Sequence, residues 1–108
     1  MSNVVDIASK KLRAKFPSLT MDEGRIIVHA YMVRDGKSTT ITGNPRTPPD
    51  GYLDSLAGLD FLDSSSSMPR YCRSLVSEDY LCKHPTEVDM VRISDRMIPM
   101  CEGIIKGL

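Results

Sequence analysis

Residues 86–108 read TEVDMVRISDRMIPMCEGIIKGL, and the spacing of their apolar side chains decides the fold prediction. At about 100° per residue, these side chains fall within one arc of the helical wheel, and most charged residues, Arg96 among them, fall on the opposite arc. Thr86 is a suitable N-cap, and Pro99 lies on the polar arc, where a kink is tolerated best. The pattern therefore predicts one bent helix from about 86 to 106.

The segment before it predicts another helix that turns back on the last one. Ser67 can cap this helix, Pro69 fits its first turn, and His84-Pro85 ends it. Because very few residues separate the two helices, we expect them to pack as an antiparallel helical hairpin.

The N-terminal segment predicts a helix from Asn3 to Lys15. Asn3 is the expected N-cap, and Asp6 follows in the first turn, where the helix dipole favours a negative charge. The buried stripe is expected to contain Val5, Ala8, Leu12 and Phe16.

Residues 20–42 have two interpretations. Thr20 and Glu23 form a capping box that predicts a helix ending near Gly36. The β-branched and aromatic run that follows, with the Asp35-Gly36 turn, instead suits a β-hairpin at about 26–42. The apolar residues do not alternate cleanly, so the helix is favoured.

These segments predict an all-α fold of four or five short helices with a C-terminal helical hairpin. An α+β fold with the hairpin at 26–42 is the alternative. The whole chain, 1–108, is expected to form one small domain, with loops at 43–51 and 64–67. A short helix broken near Gly58 is expected between the loops.

Charge is balanced overall but divided unevenly along the chain. The 108 residues hold 14 Lys and Arg against 14 Asp and Glu. Residues 1–49 carry a balance of +4, and residues 50–108 carry −4. A basic cluster on the first helix is the candidate surface for an acidic protein patch or a nucleic acid. It consists of Lys10, Lys11, Arg13 and Lys15.

Nucleic-acid binding is the alternative function, with the basic first helix as the contact. The first two helices have the layout of a helix-turn-helix, but the second begins with Asp22 and Glu23, which phosphate repels. A net charge of zero also argues against strong phosphate binding.

Methionine is frequent, with seven in the chain, and three lie on the stripe of the last helix. Methionine packs in cores and also adapts to irregular partner surfaces. Met97 and Met100 are therefore candidate partner-binding residues, and core packing is the alternative.

The residues that could support catalysis or bind a metal are few and scattered. The three cysteines have no C-x-x-C spacing, and the two histidines, His29 and His84, belong to no recognised motif. We expect no cofactor and no metal. A small enzyme with dispersed cysteine and histidine chemistry is the third function considered.

The sequence favours a non-enzymatic binding protein that regulates or inhibits a macromolecular partner by surface contact. A protein partner is expected, and a homo-oligomer is an additional expectation. The sequence has no apolar run of membrane-spanning length and no recognisable signal peptide, so a cytoplasmic protein is expected. Small chains of this type are frequent among phage and mobile-element proteins, which is an association and not a physical argument.

Overall fold

A computed structural model describes residues 3–35, 49–56 and 68–108. The described chain contains four helices and three short strands. In chain order they are α1 (Asn3–Lys15), α2 (Met21–Arg34), β1 (Leu53–Asp54), α3 (Met68–Ser77), β2 (Leu81–Lys83), β3 (Met90–Ile93) and α4 (Ile98–Lys106).

The two N-terminal helices form as the sequence predicts. α1 has the predicted bounds, and α2 begins at the predicted capping box. Thr20 Oγ1 accepts a bond from Glu23 N at 3.2 Å, and Glu23 Oε1 accepts one from Thr20 N at 2.8 Å. The alternative β-hairpin is therefore wrong for residues 26–34, and its remainder, with Gly36, lies outside the described residues.

The predicted bent helix over 86–106 is wrong in its first half. Met90–Ile93 form a strand, Asp95–Met97 form a 3₁₀ turn, and the helix begins at Ile98. Pro99 lies in its first turn, where the missing N–H has no helical partner to lose. The proline starts this helix and does not bend it.

The predicted helical hairpin is also wrong. α3 forms, but it ends at Ser77, and β2 and β3 make an antiparallel β-hairpin before α4. The fold is thus helix-dominant with a small sheet, and the all-α expectation is corrected to α+β. Its hairpin lies at 81–93 and not at 26–42.

The sheet has the order β1-β3-β2, with both pairings antiparallel. Leu53 pairs with Val91, and Leu81 pairs with Ile93. The sequence predicts a short helix broken near Gly58, but the first part of that segment forms β1. Gly58 itself lies outside the described residues. Pro49 to Gly51 form a turn. The rest of the two predicted loops, 43–48 and 64–67, lies outside the described residues.

One hydrophobic core joins all four helices to the sheet. α2 lies at its centre and packs against α1 on one side and β3 on the other. Side chains from each helix and strand contribute to it, among them Leu12, Ile26, Ile27, Leu53, Leu75, Leu81, Ile93 and Cys101. Within the described residues, no helix has the length and apolar character needed to cross a membrane.

Candidate binding surface

α1 has one face in the core and two flanking faces. Lys11 and Lys15 lie one turn apart on the flank beside α4, and both are exposed. Lys10 is exposed on the outer side of the same helix. The predicted basic cluster is therefore divided, with two lysines beside a second helix and one facing away.

Arg13 serves the packing of α1 on α2. Its side chain is half-buried, and an ideal Cβ placed on Gly24 would lie 3.1 Å from its Cδ. The aliphatic part of Arg13 thus fills the space above Gly24. Arg13, although predicted as part of the basic cluster, therefore serves mainly to pack α1 against α2 and is not an open charge on the surface.

A shallow groove of about 700 Å³ runs between α1 and α4. Lys11, Lys15 and Arg96 supply its charge, and none of its lining residues is acidic. Its apolar lining includes Met100 and Ile104. The groove therefore combines a positive rim with an apolar floor, and it brings together three of the predicted site residues: Lys11, Lys15 and Met100.

Arg96 is held in place at one end of this groove. Its Nε donates to the carbonyl oxygen of Asp79 at 2.9 Å, and its Nη2 donates to that of Glu78 at 3.0 Å. Its guanidinium also lies 4.9 Å from the centre of the Tyr80 ring. Its Nε also lies 3.3 Å from Asp79 Oδ2, in an ion pair at the surface. The charge of Arg96 is therefore fixed in position and partly offset by this carboxylate, whereas Lys11 and Lys15 reach the groove on flexible stems.

The two candidate methionines have different environments. Met97 is 1% exposed and lies in the core, whereas Met100 is half-buried and lines the groove. Sequence spacing placed both on one stripe. The start of α4 at Ile98 puts Met97 in the preceding 3₁₀ turn, where it points inward.

A second surface lies on α3 and the adjoining hairpin. The outward face of α3 carries two arginines and two serines, and α3 contains no acidic residue. These exposed residues are Arg70, Arg73, Ser74 and Ser77. A depression of about 520 Å³ lies between α3 and the hairpin, lined by Arg73, Lys83, His84 and also the acidic Glu87 and Asp89. Sequence reasoning missed this surface, although the strong amphipathicity of α3 marks its polar face.

The cysteines and histidines are dispersed through the fold. Burial raises the pKa of the Cys72 and Cys101 thiols to about 12, so neither is a reactive thiolate at neutral pH. His29 is buried in α2, and His84 lies in the hairpin loop. In the described ranges, no three His, Cys, Asp or Glu side chains are grouped closely enough to hold a metal ion.

Comparison of the chain with protein-family models, with curated proteins and with solved structures gave no match.

Proposed function

We propose that this chain is a non-enzymatic cytoplasmic binding protein that regulates or inhibits a protein partner by surface contact. The groove between α1 and α4 is the contact site, and the partner segment is acidic with apolar side chains. The observation that carries the proposal is the lining of the groove, in which Lys11, Lys15 and the Asp79-paired Arg96 surround an apolar floor and no lining residue is acidic. Three free cysteines support a reducing compartment.

The physical basis is the pairing of charge with apolar burial. Lys11 and Lys15 form no ion pair with any residue that the structure describes, so a partner's carboxylates would not have to displace an internal one. Rim charges of this kind steer association and fix its register, while buried apolar area supplies affinity. Met100 is the adaptable apolar contact on the groove floor.

Selection from a random displayed-peptide library tests the proposal. We expect the selected peptides to be rich in Asp, Glu and apolar residues. Their binding should weaken by at least about tenfold in Lys11→Glu/Lys15→Glu, because two attractive charges become repulsive. The matched control is Lys10→Glu/Lys83→Glu, which reverses two exposed lysines outside the groove.

Equal binding by the two double variants would refute the groove as the contact site. Selected peptides without acidic enrichment would refute the stated chemistry of the partner.

A nucleic acid is the second candidate partner, and the exposed face of α3 favours it. Arg70 and Arg73 lie one turn apart among exposed serines, which gives a face made of hydrogen-bond donors. The DNA major groove admits a helix, and arginine is its commonest specific reader. This candidate moves the predicted nucleic-acid contact from α1 to α3.

Fluorescence anisotropy with a random-sequence DNA duplex tests this second candidate. Binding through α3 should be lost in Arg70→Ala/Arg73→Ala and kept in Lys10→Ala/Lys11→Ala. It should also fall steeply with salt, because neutralised phosphates release their counterions. If binding is instead kept in Arg70→Ala/Arg73→Ala and lost in Lys10→Ala/Lys11→Ala, α1 and not α3 contacts the DNA. If the wild type does not bind the duplex at low salt, DNA is not a partner.

A further inference from the structure

The loop between β2 and β3 presents an exposed apolar side chain between two acidic ones. Val88 is 70% exposed, more than any other large hydrophobic side chain in the described ranges. Glu87 precedes it and Asp89 follows it. A single exposed valine is ordinary, but a valine between two carboxylates at the tip of a hairpin has the chemistry that the α1–α4 groove would bind.

This loop is fixed by hydrogen bonds at both ends. His84 Nδ1 accepts from the backbone N–H groups of Thr86, at 3.1 Å, and Glu87, at 2.9 Å. Ser55 N donates to the carbonyl oxygen of Asp89 at 2.8 Å, and Asp89 has a φ of 64°. Because the loop is already ordered, it loses little conformational entropy when it binds.

We propose that the hairpin loop of one copy docks in the α1–α4 groove of a second copy, so that the chain self-associates head to tail. Val88 packs on Met100 and Ile104, and Glu87 lies between Lys11 and Lys15. The inference rests on the proposed function, because it names a second copy as the acidic, apolar partner of the same groove.

The contact forms between copies and not within one. The base of the hairpin lies beside the groove, where Tyr80 stacks under Arg96, so the loop is at the far end of the strands. No loop residue lines the groove. A symmetric groove-to-groove dimer would place Lys11 and Lys15 against the same lysines, which charge repulsion disfavours.

A loop docked in a groove joins different surfaces of the two copies. Such heterologous contacts produce rings when the rotation closes and open chains when it does not. A contact this small falls below the roughly 1,200 Å² of a stable interface, so we expect dissociation in the micromolar range or weaker. Its ion pairs lie at the rim, so added salt should weaken it.

Two variants that each lack one half of the contact provide the test. Lys11→Glu/Lys15→Glu keeps the loop and loses the groove, whereas Glu87→Ser/Val88→Ser keeps the groove and loses the loop without adding a positive charge that the reversed groove could bind. Sedimentation equilibrium at concentrations up to about 500 µM measures the self-association. We expect the wild type to associate, and each variant alone to associate at least about tenfold more weakly. A mixture of the two should form a one-to-one pair and nothing larger, because only one intact contact is available.

The matched control is Lys10→Glu/Asp50→Lys, which changes two exposed charges outside both surfaces and should associate like the wild type. Circular dichroism spectra that match the wild type show that each variant is folded. A variant that fails this check is replaced by the single change Lys15→Glu or Val88→Ser.

A monomeric wild type, or a mixture that does not pair, overturns the self-association. If the wild type is monomeric and still binds acidic peptides through Lys11 and Lys15, the proposed function stands without this inference. If association depends on the loop and not on the lysines, the groove is wrong as the docking site and the proposed function loses its support.

Discussion

Gly24 of α2 lies directly beneath the side chain of Arg13 of α1. An ideal Cβ at position 24 would lie 3.1 Å from Arg13 Cδ, 3.2 Å from its Cγ and 3.3 Å from Ser9 Cβ. These distances are shorter than ordinary carbon–carbon contacts of about 3.5–4.0 Å, so the glycine sets how closely the two helices approach.

Gly24→Ala tests this close approach. Alanine raises helix propensity by about 1 kcal/mol, but the added methyl must displace the stem of Arg13 and press on α1. We expect a net loss of about 1 kcal/mol in the wild type and a smaller loss, or a gain, in an Arg13→Ala background. Urea unfolding of the four proteins in this cycle measures the coupling, and strictly additive effects would contradict the contact.

Arg96→Ala should cost more than an ordinary surface substitution. The side chain donates to two carbonyl oxygens beyond the C-terminal end of α3 and stacks on Tyr80, so we expect a loss of about 1–2 kcal/mol. Arg73→Ala is the control, since Arg73 is exposed and should change stability by less than about 0.5 kcal/mol. Equal melting temperatures for these two variants would show that the contacts of Arg96 contribute nothing.

His84→Ala should loosen the hairpin loop. Removal of the ring leaves the N–H groups of Thr86 and Glu87 without their acceptor and removes the contact with Tyr52, whose ring centre lies 4.8 Å away. We expect a loss of about 1 kcal/mol and faster hydrogen exchange at residues 86 and 87. Lys83→Ala, one residue earlier and exposed, should leave both measurements unchanged.

Because the thiols of Cys72 and Cys101 are buried, we expect the free energy of unfolding to decrease in alkaline solution. Burial raises the pKa of Cys72 and Cys101 from 9.0 to about 12, so the folded state keeps protons that the unfolded state releases. Their contribution is complete below pH 9 and is lost as pH rises toward 12, at up to about 1.4 kcal/mol per pH unit for each thiol. Urea midpoints between pH 8 and 11 measure this slope, which should decrease in Cys72→Ala.

Local signals in the sequence were sufficient for α1, favoured α2 over a β-hairpin, and predicted α3 but placed its end at His84-Pro85 and not at Ser77. The capping box at Thr20 and the apolar spacing of α1 act within one or two turns, so no distant residue is needed to interpret them. The prediction for Met90–Ile93 was wrong for the opposite reason, because a strand is determined by distant contacts. The side chains of this segment fit a helical stripe. Its pairing with Leu53, far away in the chain, and with Leu81, across the hairpin loop, makes it a strand.

The binding surface was predictable only in part. Lys11, Lys15 and Met100 were identified by residue type, but the sequence did not show that α1 and α4 would lie side by side. Arg96 was predicted only as a member of a polar arc. Its role depends on the end of α3 and the ring of Tyr80, and no spacing in the sequence indicates these contacts.

The position of β3 in the middle of the sheet has a consequence for synthesis on the ribosome. Both neighbouring strands precede β3 in the chain, so neither can pair until β3 has begun to emerge. α1 and α2 can already pack on each other, but the face of α2 that β3 later covers stays open until then. We expect a nascent chain to become resistant to protease only after residue 93 has left the ribosome, in a single late step.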